Sequence, residues 1–118
     1  MLTTAVNRTS ITGATPTVIG SIAIPDGHIS VVTAEVLAAS GADYALFVKK
    51  ARIARNGAVL TLGNILDVVA PDRTAGAALW ACTLIANGGG DAVDIQVTGV
   101  ALVTIIWGAK GETWRLKL

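Results

Sequence analysis

His28 is the only histidine of the chain; it follows the turn Pro25-Asp26-Gly27, with Ser30 two residues further on. Histidine, aspartate and serine are the residue types of nucleophilic hydrolysis, where a base must touch both the nucleophile and an orienting carboxylate. An extended segment spaces Asp26, His28 and Ser30 apart instead of converging them, so His28 reads as a surface residue flanking a turn. Cys82 is the only cysteine. One cysteine forms neither an internal disulfide nor a zinc cluster, and its place in the row Trp80, Cys82, Leu84 makes it a small core residue. Asp91 and Asp94 follow the run Asn87-Gly88-Gly89-Gly90. Calcium loops bring several oxygen ligands together at tight spacing; two carboxylates do not suffice, and the segment reads as a hairpin end. The expectation is a protein that is not an enzyme, with no catalytic residue, no metal and no cofactor.

Binding chemistry has more to work with. Lys49, Lys50, Arg52 and Arg55 place four of the nine basic residues on one segment, and Lys110, Arg115 and Lys117 form a basic end. Eight acidic residues bring the net charge to +1, and nucleic-acid binding ordinarily needs a larger basic excess with aromatic platforms beside it. The basic segment is therefore read as a salt-bridging rim toward an acidic protein neighbour, and no nucleic-acid partner is expected. Trp80 and Trp107 fall in core rows. Trp114, beyond the last clear strand, is read as an interface anchor or, alternatively, a platform for a sugar. Leu102 and Ile106 lie on the row opposite the core. The candidate interface residues are thus Trp114, Arg115, Leu102, Ile106, Lys49, Lys50 and Arg52.

The elements that must carry these residues show a period of two, punctuated by turns. Residues 1–16 are Thr-rich, lack an apolar period and end at Pro16; they are read as an extended N-terminal arm preceding a domain over residues 17–118. Strands are predicted over residues 17–24, 28–39, 44–55, 58–62, 65–70 and 93–98, with a last ribbon after Gly99; residues 77–86 are ambiguous, Ala and Leu favouring a helix while the period of two and the following glycine loop favour a strand. Val32, Ala34, Val36 and Ala38 share one face of the second strand. In the third, Tyr44, Leu46 and Val48 share one parity and Ala51 and Ile53 the other, so a bulge near Lys49-Lys50 is expected to turn both sets inward. Asn56-Gly57 is the strongest hairpin signal. Val103, Ile105, Trp107 and Ala109 form one row of the last ribbon, which is apolar on both faces. One face fits a core; the other needs a cover, either the segment 113–118 or another subunit. The result is an all-β, single-domain antiparallel β-sandwich, with a jelly roll as the expected topology.

Composition sharpens the question of that cover. Only 14% of the residues are charged and 53% are hydrophobic, against about 25% charged in an ordinary domain. So few charges cannot clothe a small globule, and part of its surface is expected to lie under neighbours. A membrane is not the expected cover. The longest charge-free windows, residues 9–25 and 74–90, are each 17 residues long and carry prolines or a triple glycine, whereas a spanning helix needs about 18 to 20 apolar residues. No secretion signal is read in the first residues.

Asp91, Asp94, Ile95, Val97, Thr98, Gly99 and Ala101, followed by Thr104, Ile105, Ile106 and Trp107, form an alternating strand, a Val-Thr-Gly-x-Ala turn and a Thr-Ile-x-Trp strand. With the strand GHISVVTAEVLAAS and the basic strand before Asn56-Gly57, this pattern resembles small all-β virion proteins of tailed bacteriophages, over roughly residues 17–110. The resemblance implies a sandwich or jelly roll that decorates or cements a capsid, or that serves as a module of a tail fibre or spike. It carries no catalytic residues. The absence of a stalk or repeats favours capsid cement. The expected partners are the major capsid protein and copies of the chain itself, as homodimer or homotrimer, on the exterior of a virion assembled in the host cytoplasm. The alternative is a tail-fibre or tail-spike module recognising host glycan, with Tyr44 or Trp114 exposed in a groove.

Overall fold

Alternating β-branched and polar residues between glycine-rich turns produce strands almost throughout. A computed structural model describes residues 3–118, with side chains from Arg8 onward. Among these residues the strands are β1 (Thr3–Thr12), β2 (Thr17–Ala23), β3 (His28–Ser40), β4 (Asp43–Asn56), β5 (Val59–Leu62), β6 (Leu66–Arg73), β7 (Ala81–Ala86), β8 (Ala92–Thr98) and β9 (Thr104–Lys117). A short 3-10 turn, Ala75–Ala77, is the only helical element among them, and no helix is long and apolar enough to cross a membrane. The chain is an all-β single domain, 70% strand, with curled antiparallel sheets. The larger sheet runs β1-β9-β3-β4, and the far edge of β4 is shared by β5 and β6; the smaller sheet runs β2-β8-β7.

One apolar cluster joins the two sheets. Val32, Val36, Phe47, Ile53, Ile105 and Trp107 come from the larger sheet, Ile22, Leu84, Val93 and Ile95 from the smaller, and Trp80 from the segment just before β7. Phe47 and Trp107 stack with ring centroids 6.4 Å apart, and Trp80 tilts against Trp107 at 6.2 Å. Such aromatic pairs each add about 1 kcal/mol beyond the area they bury. Gly111 lets the sheets approach: a Cβ there would stand 2.6 Å from Ile22 Cδ1.

The second predicted strand has its expected face, since Val32, Ala34, Val36 and Ala38 are all buried. Four other elements differ from the expectation. Residues 3–12, assigned in the sequence to a free arm, pair along their whole length with β9 as an edge strand; Met1 and Leu2 lie outside the described residues. The period of two was hidden there by threonines, which satisfy a strand as well as an arm does. No bulge interrupts β4 against β3, whose register is continuous from Ile29–Ala54 to Ser40–Asp43. Ala45, Phe47, Ala51 and Ile53 therefore face the core, while Tyr44, Leu46 and Val48 face the other way. The irregularity near Val48 lies instead in the pairing with β6. β6 continues through Pro71-Asp72-Arg73, read as loop; at an unpaired edge a proline loses no ladder hydrogen bond. Finally, residues 113–117 do not fold back over the last ribbon. They continue it, paired with β3.

Candidate functional site

The residues with reactive side chains are held apart by the fold. His28 Nδ1 lies 2.9 Å from the Asp26 carbonyl oxygen, while the Asp26 carboxylate accepts a hydrogen bond from the Gly57 amide at 2.7 Å. Asp26 thus fastens one turn to the next, and Arg55 reinforces it by donating to the Ile24 and Gly57 carbonyls. Ser30, two residues along β3 on the same face as His28, is buried, with its hydroxyl unpartnered among the described residues. Cys82 is buried, and desolvation pushes its thiol up from 9.0 to about 12, with Lys49 opposing and Asp67 adding to the shift. A thiol so poised stays protonated and unreactive. Asp94 accepts from Ser21 Oγ at 2.6 Å, and Asp91 donates its amide to Asn87 Oδ1. Among the described residues no three His, Cys, Asp or Glu side chains gather as metal ligands.

What the fold does bring together is the outer face of the larger sheet. Register places its side chains in rows across β9, β3 and β4. The first two rows are Ile106-Ala39-Tyr44 and Gly108-Leu37-Leu46. Next come Lys110-Glu35-Val48 and Glu112-Thr33-Lys50, then Trp114-Val31-Arg52 and Leu116-Ile29-Ala54. The pattern is apolar, charged, apolar. Over the first rows the curl of the sheet opens a trough of about 680 Å³, floored by Leu37, Ala39, Leu46 and Gly108 and rimmed by Arg8, Tyr44 and Lys110. Lys110 bonds Glu112 at 2.8 Å, and that hydrogen bond raises its pKa. Tyr44 and Trp114 are 58% and 54% exposed, but their rows lie four rows apart along the strands, so they do not share one groove.

The basic segment of β4 is divided by the same alternation. Lys49 points to the inner side and pairs with Asp67 on β6, with a side chain only 14% exposed. Lys50 and Arg52 lie on the outer face. Arg115 is half-buried opposite Ser30. Arg73, which drew no attention in the sequence, donates to the Trp80 carbonyl at 2.9 Å and lies over the Phe47 ring at 5.8 Å.

Two further apolar surfaces stand away from the sheet face. Edge strand β6 is exposed along nearly all its length, with Leu66, Val68 and Val69 all open to solvent. At the end of the molecule Leu102 is 95% exposed. The Val103 amide donates to the Val100 carbonyl at 3.4 Å and Leu102 has φ 65°, which makes Val100–Val103 a type II turn with leucine where glycine belongs. A bulky residue in that region costs about 1 to 2 kcal/mol. Leu102 was read in the sequence as an outward residue, but on a strand row and not at a turn; β6 was not legible as a surface, because exposure of an edge depends on which strands fail to cover it. No protein family, no curated protein and no solved structure matches the chain.

Proposed function

We propose that the chain is a non-enzymatic structural protein of a phage virion, a cement or decoration protein that binds between major capsid subunits on the outside of the shell. The observation that carries this reading is the distribution of exposed apolar side chains over three separate surfaces: the outer sheet face, the β6 edge and the Leu102 turn. A protein with one partner needs one such surface. A member of a repeated shell meets several neighbours at once, and many modest contacts then add through avidity. The scaffold proposed for this role is a two-sheet sandwich of jelly-roll type, rigid enough to hold the surfaces at fixed angles.

Leu102 is the sharpest probe, because its strained backbone benefits nothing inside the chain itself. Purified protein mixed with undecorated shells of its own phage should decorate them to saturation. Leu102→Gly should raise the melting temperature by a few degrees, since about 1 kcal/mol of strain is relieved, yet lower shell occupancy. Leu102→Asp should lower occupancy about ten-fold or more. Wild-type protein that leaves shells bare overturns the reading. The second reading, a glycan-binding tail module, is favoured by Tyr44 standing exposed at the trough; imaging of whole virions with the protein on the tail would select it.

A further inference from the structure

The face of the larger sheet needs a cover, and the fold has removed one of the two available. Residues 113–117 continue β9 instead of returning over it. We infer that the cover is a second copy of the chain, docked face to face about a two-fold axis that runs parallel to the sheet, midway between the two copies and perpendicular to the strands, over the gap between the Lys110-Glu35 and Glu112-Thr33 rows.

The argument is complementarity, row by row. Rotation about this axis sets each row against its mirror-numbered row in the other copy, with β9 facing β9 in the antiparallel sense. Lys110 then faces Glu112 of the second copy and Glu112 faces its Lys110, so the β9 charges of the two bands pair, while Glu35 meets Thr33 and Lys50 meets Val48. Trp114, the largest side chain of the face, falls on Gly108 of the second copy, where no side chain stands and the trough lies open. Leu116 meets Ile106, and Val31 meets Leu37. Arg52 comes within one row of the Tyr44 ring, a face suited to a guanidinium. The other in-plane axis, along β3, pairs Glu112 with Lys50 but sets Glu35 directly against Glu35 and places the bulky Trp114 on Arg52 instead of on the open Gly108 position.

The face is close to the size a stable pair needs. Six rows at about 6.8 Å and three strands at about 4.8 Å cover roughly 590 Å² before side chains roughen the surface. Stable interfaces begin at about 600 Å² per partner. The face is isologous, as two-fold dimers require. This inference names the first neighbour in the assembly proposed above; it rests on that reading for its purpose and not for its geometry.

Sedimentation of the full chain tests it without any capsid. Wild-type protein should sediment at twice its 12.0 kDa, and dilution should shift tryptophan emission to the red as Trp114 becomes wet, Trp80 and Trp107 being buried within each copy. Lys110→Glu and Glu112→Lys, both at partly exposed positions, should each weaken the dimer about ten-fold or more by opposing like charges. Mixing these two variants should restore a dimer, because in the mixed pair both contacts become attractive. Near-ultraviolet circular dichroism verifies that each variant is folded. A wild-type protein that stays monomeric at high concentration, a trimer, or variants that fail to rescue each other overturns the inference. Failure here leaves the shell-binding result standing, since that assay reads the Leu102 turn.

Discussion

Thr113 and Cys82 show how single buried groups set measurable properties. Thr113 is 3% exposed and its hydroxyl finds no protein partner among the described residues. A buried hydroxyl without a partner keeps its desolvation cost. Thr113→Val retains the β-branched shape and removes that cost, and is expected to stabilise by about 1 kcal/mol, raising the melting temperature by about 4 °C; a thermal scan checks it. Cys82 carries a pH dependence. Its folded pKa of about 12 stands above the ordinary 9.0, so above pH 9 the unfolded chain releases a proton that the folded chain keeps. Stability is full below pH 9 and falls as pH rises toward 12, by up to about 1.4 kcal/mol per unit. Denaturant titrations from pH 8 to 11 should show the decline, and Cys82→Ala should flatten it. A thiol reagent should modify Cys82 only when the protein unfolds.

At the scale of elements, hairpins do the positioning. The β7–β8 loop packs on the β4–β5 hairpin through Gly90, which has φ +71° and whose missing Cβ would lie 2.0 Å from the Ala58 carbonyl oxygen. Backbone meets backbone here, so neither side yields. Gly90→Ala is expected to destabilise by about 2 kcal/mol or more, seen as a lower denaturation midpoint. At the opposite end Thr74 ties the 3-10 turn to β4: it donates to Asp43 at 2.9 Å and accepts from the Tyr44 amide at 3.1 Å. These links hold the Tyr44 edge of the trough in place.

The whole molecule is a long body, 46 × 25 × 22 Å, with one interior and one curled outer face whose apolar ends flank a charged band. Its reactive groups are buried or used in turn fastening, and its apolar side chains are displayed. A shell component gains from that arrangement, because each displayed surface is offered to a different neighbour. The predicted two-fold dimer doubles the number of Leu102 turns and β6 edges presented at once, so loss of Trp114 should weaken shell attachment as well as the dimer, in proportion to the avidity lost.

How much was legible follows from the kind of information each feature needs. Local alternation and turn chemistry are written in neighbouring residues. Val32 to Ala38, Val93 to Val97 and the Asn56-Gly57 hairpin were therefore readable, as was the conclusion that so sparsely charged a chain leaves large apolar side chains exposed. Register and sheet order are set by residues far apart in the chain. Nothing within β4 tells whether Tyr44 or Phe47 faces the core; unbroken pairing with β3 decides it. The threonine-rich start could serve equally as arm or edge until β9 offered its free side. The apolar, charged, apolar order of the outer face exists only when three strands are laid in register, because it is a property of rows and not of any one segment.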